Sequence, residues 1–282
     1  MLNRQKAVLF LLKLASKDVS KVQLMKWAFL LGQETPSHGG TTFYGFVPYR
    51  YGPHSFTLSQ ETNALIRDGL VQETNKGQWE LTTAGQKIDI KIPGSVIQDI
   101  RYIIAKYGRR TAQELIEVVY DKYPWFTINS SLAARQLQEK PKVACAIYTM
   151  GYEGLTADSF LNRILKAGID QIIDVRNNPV SRRYGFHKNT LSRLCHMLNL
   201  DYQHFPELGI PGSDREGLAS TIEYQRLFVS YQSKLQYQER HLHDVATFIT
   251  TKPSVLICME ANPEFCHRNV LAQSLRASLK IK

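Results

Sequence analysis

The residues best equipped for chemistry gather in one stretch, Pro253 to Leu275, PSVLICMEANPEFCHRNVLAQSL. A short apolar run, Val255-Leu256-Ile257, leads into a polar segment carrying Cys258, Glu260, Cys266, His267 and Arg268. An apolar-periodic stretch with Val270, Leu271 and Leu275 follows and reads as a helix. In a strand, loop and helix of this kind, the backbone N–H groups at the helix start face the loop and favour an anion or a thiolate. Glu260 can work there as acid or base. Cys258, at a strand end, can be a nucleophile. Cys258, Cys266 and His267 are also residue types that bind metal. The spacing argues against the metal, because there is no Cys-x-x-Cys pair and adjacent residues such as Cys266 and His267 seldom serve one ion. No metal is assigned, and the cofactor is left open.

Three other segments end strand-like runs with reactive side chains. The first holds Tyr152 and Glu153, the second Asp174, Arg176, Asn177, Ser181, Arg182, Arg183 and Lys188, and the third His204, Glu207 and the Gly209 to Gly212 turn. Glu153, Asp174 and Glu260, with Cys258, are the candidate catalytic residues. Arg176, Arg182, Arg183, Lys188 and Arg268 suit phosphate, which arginine forks grip bidentately. Glu207, Cys266 and His267 complete the binding set. Tyr152, Tyr184 and Phe186 could form a wall that stacks on a base. Structural alternatives stand beside these readings. Asp174 could cap a helix or pair with Arg176 to hold the loop, and Cys266 could be a small buried residue at the helix start.

The elements that must position these residues follow from periodicity. Val143 to Tyr148, Gln171 to Val175, Leu200 to His204 and Ser254 to Cys258 read as strands, separated by helical stretches. That alternation predicts an α/β domain over 141–282, with a mostly parallel sheet flanked by helices in the manner of Rossmann-like or rhodanese-like folds. Ligands then belong at the carboxyl ends of the strands. Residues 1–140 have a different pattern. Helices are predicted over Gln5 to Ala15, Lys21 to Gly32 and Ser55 to Asp68, and Thr42 to Val47 looks strand-like. Leu70 to Glu73 and Gln78 to Leu81 form a hairpin around Asn75-Lys76-Gly77. Helices followed by a two-stranded wing predict a winged-helix-like α+β domain. Its third helix carries one basic residue, Arg67, so contact with protein fits nearly as well as contact with DNA. Gln138 to Lys142 is the linker candidate.

The chain has 282 residues, 43% hydrophobic and 21% charged, with a net charge of +10. Residues 1–142 hold 19 Lys+Arg against 12 Asp+Glu, a balance of +7, which leaves +3 for the remainder. The excess favours a polyanionic partner, most simply nucleic acid. No apolar run reaches the ~18 residues of a membrane span. Four dispersed cysteines make no disulfide framework, so the cytoplasm is the default compartment.

Two resemblances sharpen this reading. FVPYRYGPHSFTLSQETNALIRDGLV, WELTTAGQKI and RTAQELIEVVYDKYPW resemble the antitoxin-associated winged-helix domains called Panacea or SocA-like, over roughly residues 1–130. That resemblance implies a protein partner. IYTMGYEG, IIDVRNNPVSRRYGFHKNTL, YQHFPELGIP and LICMEANPEFCHR are similar, in order and spacing, to the bacterial family called domain of unknown function 488, over about residues 145–278. Asp-Val-Arg after one strand and Cys258 after another are also similar to rhodanese-type sulfurtransferases and cysteine phosphatases, although the loop lacks their glycines.

Together these features predict an enzyme that hydrolyses a base–sugar or phosphate-linked bond in nucleic acid, DNA foremost, or in a nucleotide. DNA repair or phage defence would use such a reaction. The alternatives are a non-catalytic DNA-binding or partner-binding regulator that senses a nucleotide, and a cysteine-dependent sulfur or phosphate transfer.

Overall fold

The computed structural model describes residues 1–15, 18–132 and 138–279. The chain divides into two compact units, Met1–Glu139 and Lys140–Lys282.

The first unit begins with α1 (Asn3–Ala15), β1 (Val19–Ser20) and α2 (Lys21–Glu34). Ser20 caps α2 through a reciprocal box: its Oγ accepts from the Gln23 N–H at 3.1 Å, and the Gln23 side chain accepts from the Ser20 N–H at 3.1 Å. A hairpin of β2 (Val47–Tyr49) and β3 (Gly52–His54) precedes α3 (Phe56–Arg67). The strand expected over Thr42 to Val47 is therefore displaced. Residues 42–46 make no ladder, and Arg50-Tyr51 is the turn while Gly52-Pro53 lies in the second strand. The hairpin expected next is present as β4 (Val71–Glu73) and β5 (Gln78–Leu81), and β1 extends it into an antiparallel sheet of order β1-β5-β4. Helices α4 (Thr83–Lys87), α5 (Gly94–Tyr107) and α6 (Ala112–Lys122) complete the unit. Its core gathers Leu9, Trp27, Phe29, Leu58, Ile103 and Val119, all fully buried.

The second unit runs β6 (Ile147–Gly151), α7 (Ala157–Lys166), β7 (Gln171–Asp174), α8 (Lys188–Met197), β8 (Asp201–His204), α9 (Thr221–Leu235), α10 (Glu239–Thr251), β9 (Ser254–Cys258) and α11 (His267–Leu279). The four strands are parallel and ordered β6-β9-β7-β8. Every residue of β7 and β9 is buried, as their continuous apolar runs require of strands covered on both faces. The first strand begins at Ile147, later than the expected Val143, because its register with β9 pairs Ile147 with Ser254 and carries the ladder on to Gly151 and Cys258. The last strand in the chain thus lies inside the sheet, and its carboxyl-end loop is flanked by the loops that follow β6 and β7. Among the described residues no helix is long and apolar enough to cross a membrane.

One buried charge in the first unit makes a pH prediction. Lys26 is fully buried, and its Nζ donates to the carbonyls of Tyr51 and Pro53 in the β2–β3 hairpin. Burial pushes its pKa down from the ordinary 10.5 to about 7. From about pH 7 up to the ordinary lysine range the unfolded chain then holds the extra proton, so stability contributed by this site rises with pH. All three tryptophans, Trp27, Trp79 and Trp125, lie in this unit and report its unfolding in the full chain. Chemical denaturation at about pH 7.5 and about pH 9.5 is expected to show a larger gain for wild type than for Lys26→Met. Equal gains would contradict the buried-lysine account.

Candidate functional site

Four strand-end loops are stitched together at the carboxyl edge of the parallel sheet. After β6, Tyr152 and Glu153 donate backbone N–H groups to the carbonyls of Cys258 (3.3 Å) and Met259 (2.8 Å). The Glu153 carboxylate in turn accepts the Ala261 N–H at 2.9 Å. Gly151 lets this happen: a Cβ built there would lie 1.8 Å from the Glu260 carbonyl oxygen. From the loop after β7, Arg183 donates to the Leu155 carbonyl at 2.7 Å, and the carbonyls of Val175 and Arg176 accept from His267 (2.9 Å) and His204 (2.8 Å). Asn177 reaches the Pro206 carbonyl at 3.1 Å, tying in the segment after β8.

Within this edge, Cys258, Glu260, Cys266 and His267 converge. Cys258 ends β9, a 3-10 turn at Pro263–Phe265 folds the loop back, and His267 opens α11. The Glu260 Oε2 atom lies 2.9 Å from Cys258 Sγ and 3.0 Å from Cys266 Sγ. His267 Nδ1 lies 3.8 Å from the first sulfur and 4.0 Å from the second. The Val175 carbonyl can only accept, so Nε2 of His267 carries the ring proton and Nδ1 presents its lone pair to the cluster. Arg215 closes the site. Its guanidinium donates to Glu260 Oε1 and, at 2.8 Å, to His267 Nδ1. The Glu260 side chain remains 16% exposed and that of Arg215 25%. The hydrogen bond with Cys266 holds the Cys258 thiol well below its ordinary pKa, against the opposing effect of burial. The same bond, together with burial, raises Cys266. The two sulfurs therefore share acidity unequally. Beneath them Arg268 is buried and donates to the carbonyls of Glu260 (2.6 Å) and Ala261 (3.2 Å), which fixes the loop from below.

Several expected roles change. Asp174 is 0% exposed, ion-paired to Arg176 and bonded by the Tyr202 hydroxyl at 2.6 Å, so it is no water-accessible acid or base. Arg176 is buried as well, and its donors go to Asp174, the Tyr152 hydroxyl and the Phe186 carbonyl, so it does not grip a phosphate. Burial alone would lower the Arg176 pKa, but the Asp174 bond and charge hold it above its ordinary value. Arg268 is buried and donates to two backbone carbonyls, while its Nε–H has no partner among the described residues. Tyr152 and Phe186 stack on each other with centroids 4.1 Å apart, and both are buried, so they present no face to a base. Glu153 braces the loop, and Glu207 sits in the turn after β8 with an oxygen 3.8 Å from His241. Arg182, Arg183 and Lys188 are exposed, with no carboxylate partner among the described residues. Although Cys266 and His267 are adjacent in sequence, the turn into α11 brings potential ligand atoms of both within 4.8 Å of each other and of Cys258.

Arg215 was not singled out by sequence. It sits in a polar turn, Gly212–Arg215, without periodicity, and its partners lie 45 and 52 positions further along the chain.

The Asp174–Arg176 pair generates a direct test of its structural role. Asp174→Asn leaves a buried guanidinium without its counter-charge and is expected to cost about 3–5 kcal/mol of stability. A variant as stable as wild type in denaturant titration would restore Asp174 as a functional candidate.

No curated protein and no solved structure matches the chain. The resemblance read over about residues 145–278 is met by a family model over residues 156–275, a span that includes Asp174, Glu260 and the Cys266-His267-Arg268 run: that region matches the Domain of unknown function DUF488.

Proposed function

We propose that the second unit is a hydrolase acting on nucleic acid or a nucleotide, with Glu260 as its acid/base group. The observation that carries this reading is the state of the Glu260 carboxylate. It is oriented by Arg215 and two thiols and is partly open to solvent. A carboxylate so placed takes a proton from an attacking water and returns it to the leaving group. Arg182, Arg183 and Lys188, exposed on the adjoining loop, supply the phosphate grip in place of Arg176. The net charge of +10 supports a polyanionic substrate.

The first unit is read as a winged-helix docking domain for DNA or a partner protein. The order of α1, β1, α2, α3 and the β4–β5 hairpin, with β1 completing the sheet, supports that reading. Half of the residues of α3 are buried, and Arg67 is its sole base, which favours docking over base readout.

Cysteine-dependent transfer is the second reading, favoured by the position of Cys258 Sγ at the end of the central strand beside His267. Alkylation that leaves turnover intact would remove it.

Fluorescence anisotropy with short duplex and single-stranded DNA tests the main proposal, followed by mass spectrometry of the bound DNA. Binding is expected to weaken steeply with salt, and Arg182→Ala with Arg183→Ala to reduce the salt slope by about 1 per lost phosphate contact. Glu260→Gln is expected to bind as wild type while product formation falls by about 100-fold or more. Absence of binding at low salt would end the nucleic-acid reading, and full turnover in Glu260→Gln would end the role of that residue.

A further inference from the structure

The cluster has the composition and the geometry of a metal centre. Potential ligand atoms of Cys258, Cys266 and His267 all lie within 4.8 Å of one another, and all three residues are buried. Two sulfurs and one imidazole nitrogen are the donor set that borderline-soft divalent ions of the zinc class prefer. The separations of Nδ1 from the two sulfurs, 3.8 and 4.0 Å, are close to those across a tetrahedral ion with ordinary zinc–ligand bonds. The outer shell is in place too. A metal-binding imidazole usually donates its other N–H to a carbonyl or carboxylate, which fixes its tautomer. His267 does so to the Val175 carbonyl at 2.9 Å, and the Tyr231 ring packs edge-on against it with centroids 5.5 Å apart. The central position of β9 and the Arg268 clamp hold the loop that brings the sulfurs together.

The geometry points to a zinc-class divalent ion bound by Cys258 Sγ, Cys266 Sγ and His267 Nδ1, with water in the fourth position facing Glu260. Three protein ligands and one open position is the catalytic pattern of zinc, in contrast to a closed structural site. Binding releases the thiol protons to solvent, since the ligands are thiolates. It also breaks one existing contact: Nδ1 cannot accept from Arg215 and donate its lone pair to a metal at the same time, so Arg215 keeps Glu260 alone. The role of the water rests on the hydrolase reading above. The water oxygen bonds to the electrophilic atom, its proton passes to Glu260, and Glu260 returns a proton to the group that departs. The ion itself does not rest on that reading, and it makes Cys258 a ligand instead of a free nucleophile.

The test uses the full-length chain without substrate, so its failure is distinct from failure of the hydrolase proposal. Chelator-treated protein is titrated with cobalt(II) and zinc(II), with optical spectroscopy and elemental analysis as readouts. One equivalent of metal per chain is expected, with a sulfur-to-cobalt charge-transfer band and the intense visible bands of tetrahedral cobalt, displaced by zinc. Cys258→Ser, Cys266→Ser and His267→Ala are each expected to weaken binding by more than about 100-fold, the upper range for outer-shell partners. Cys145→Ser, which alters the exposed cysteine, is expected to bind as wild type. Arg215→Gln is expected to bind at least as tightly as wild type, because it removes the competitor for Nδ1. Wild-type protein that binds no cobalt, or binds it without the sulfur charge-transfer band, overturns the proposal whatever the folding state of the variants.

Discussion

A guanidinium under a loop determines the shape of this site. Arg268 is buried at the start of α11 and donates to the carbonyls of Glu260 and Ala261. Those two carbonyls belong to the loop after β9, where the Met259 carbonyl and the Ala261 N–H are also tied to Glu153. A side chain with several donors in a fixed fork can serve two acceptors at once. The consequence is that Glu260 cannot turn away from the end of β9. Its carboxylate is delivered between Cys258, which precedes it on the strand, and Cys266, which the 3-10 turn brings back. Gly151 makes the same constraint steric, since its backbone lies where any side chain would strike the Glu260 carbonyl.

A second buried arginine does related work one strand away. Arg176 locks to Asp174 and lies over the Tyr152 ring, which in turn stacks on Phe186, and this fixes the loop after β7. The Val175 carbonyl within that loop then sets the tautomer of His267. The two arginines therefore position the loops at the carboxyl edge of the sheet. Arg182, Arg183 and Lys188 are exposed on the same loop, where Arg183 also donates to the Leu155 carbonyl. This division follows from desolvation: an enclosed guanidinium bonded to neighbouring protein oxygens is held in one place, whereas an exposed one keeps its water.

Much of the second unit was legible in the sequence because its signals are local. Val255 to Ile257 is a continuous apolar run, and parallel strands buried on both faces read that way. The grouping of Cys258, Glu260, Cys266 and His267 was visible for the same reason, since all four lie within one loop and one helix start. What sequence could not supply was the direction of each side chain. Asp174 and Arg176 look like an acid and a phosphate grip because they are polar and follow a strand, and only the enclosing contacts of Tyr152, Phe186 and Tyr202 show that they face inward. Arg215 was invisible because its partners are distant along the chain. In the first unit, the strand expected at Thr42 to Val47 moved because β2 is defined by its pairing with β3, a tertiary event that β-propensity alone does not specify.

The central claim is that the His267 ring offers its Nδ1 lone pair to Arg215 and the two thiols while its Nε2 proton is held by Val175. The most direct measurement is a long-range nitrogen–proton correlation spectrum of the chain labelled with nitrogen-15 histidine, with the His267 signals identified by their loss in His267→Asn. The account predicts a single tautomer with the proton on Nε2 and an unprotonated Nδ1. A proton on Nδ1, or fast averaging between the two nitrogens, would contradict it.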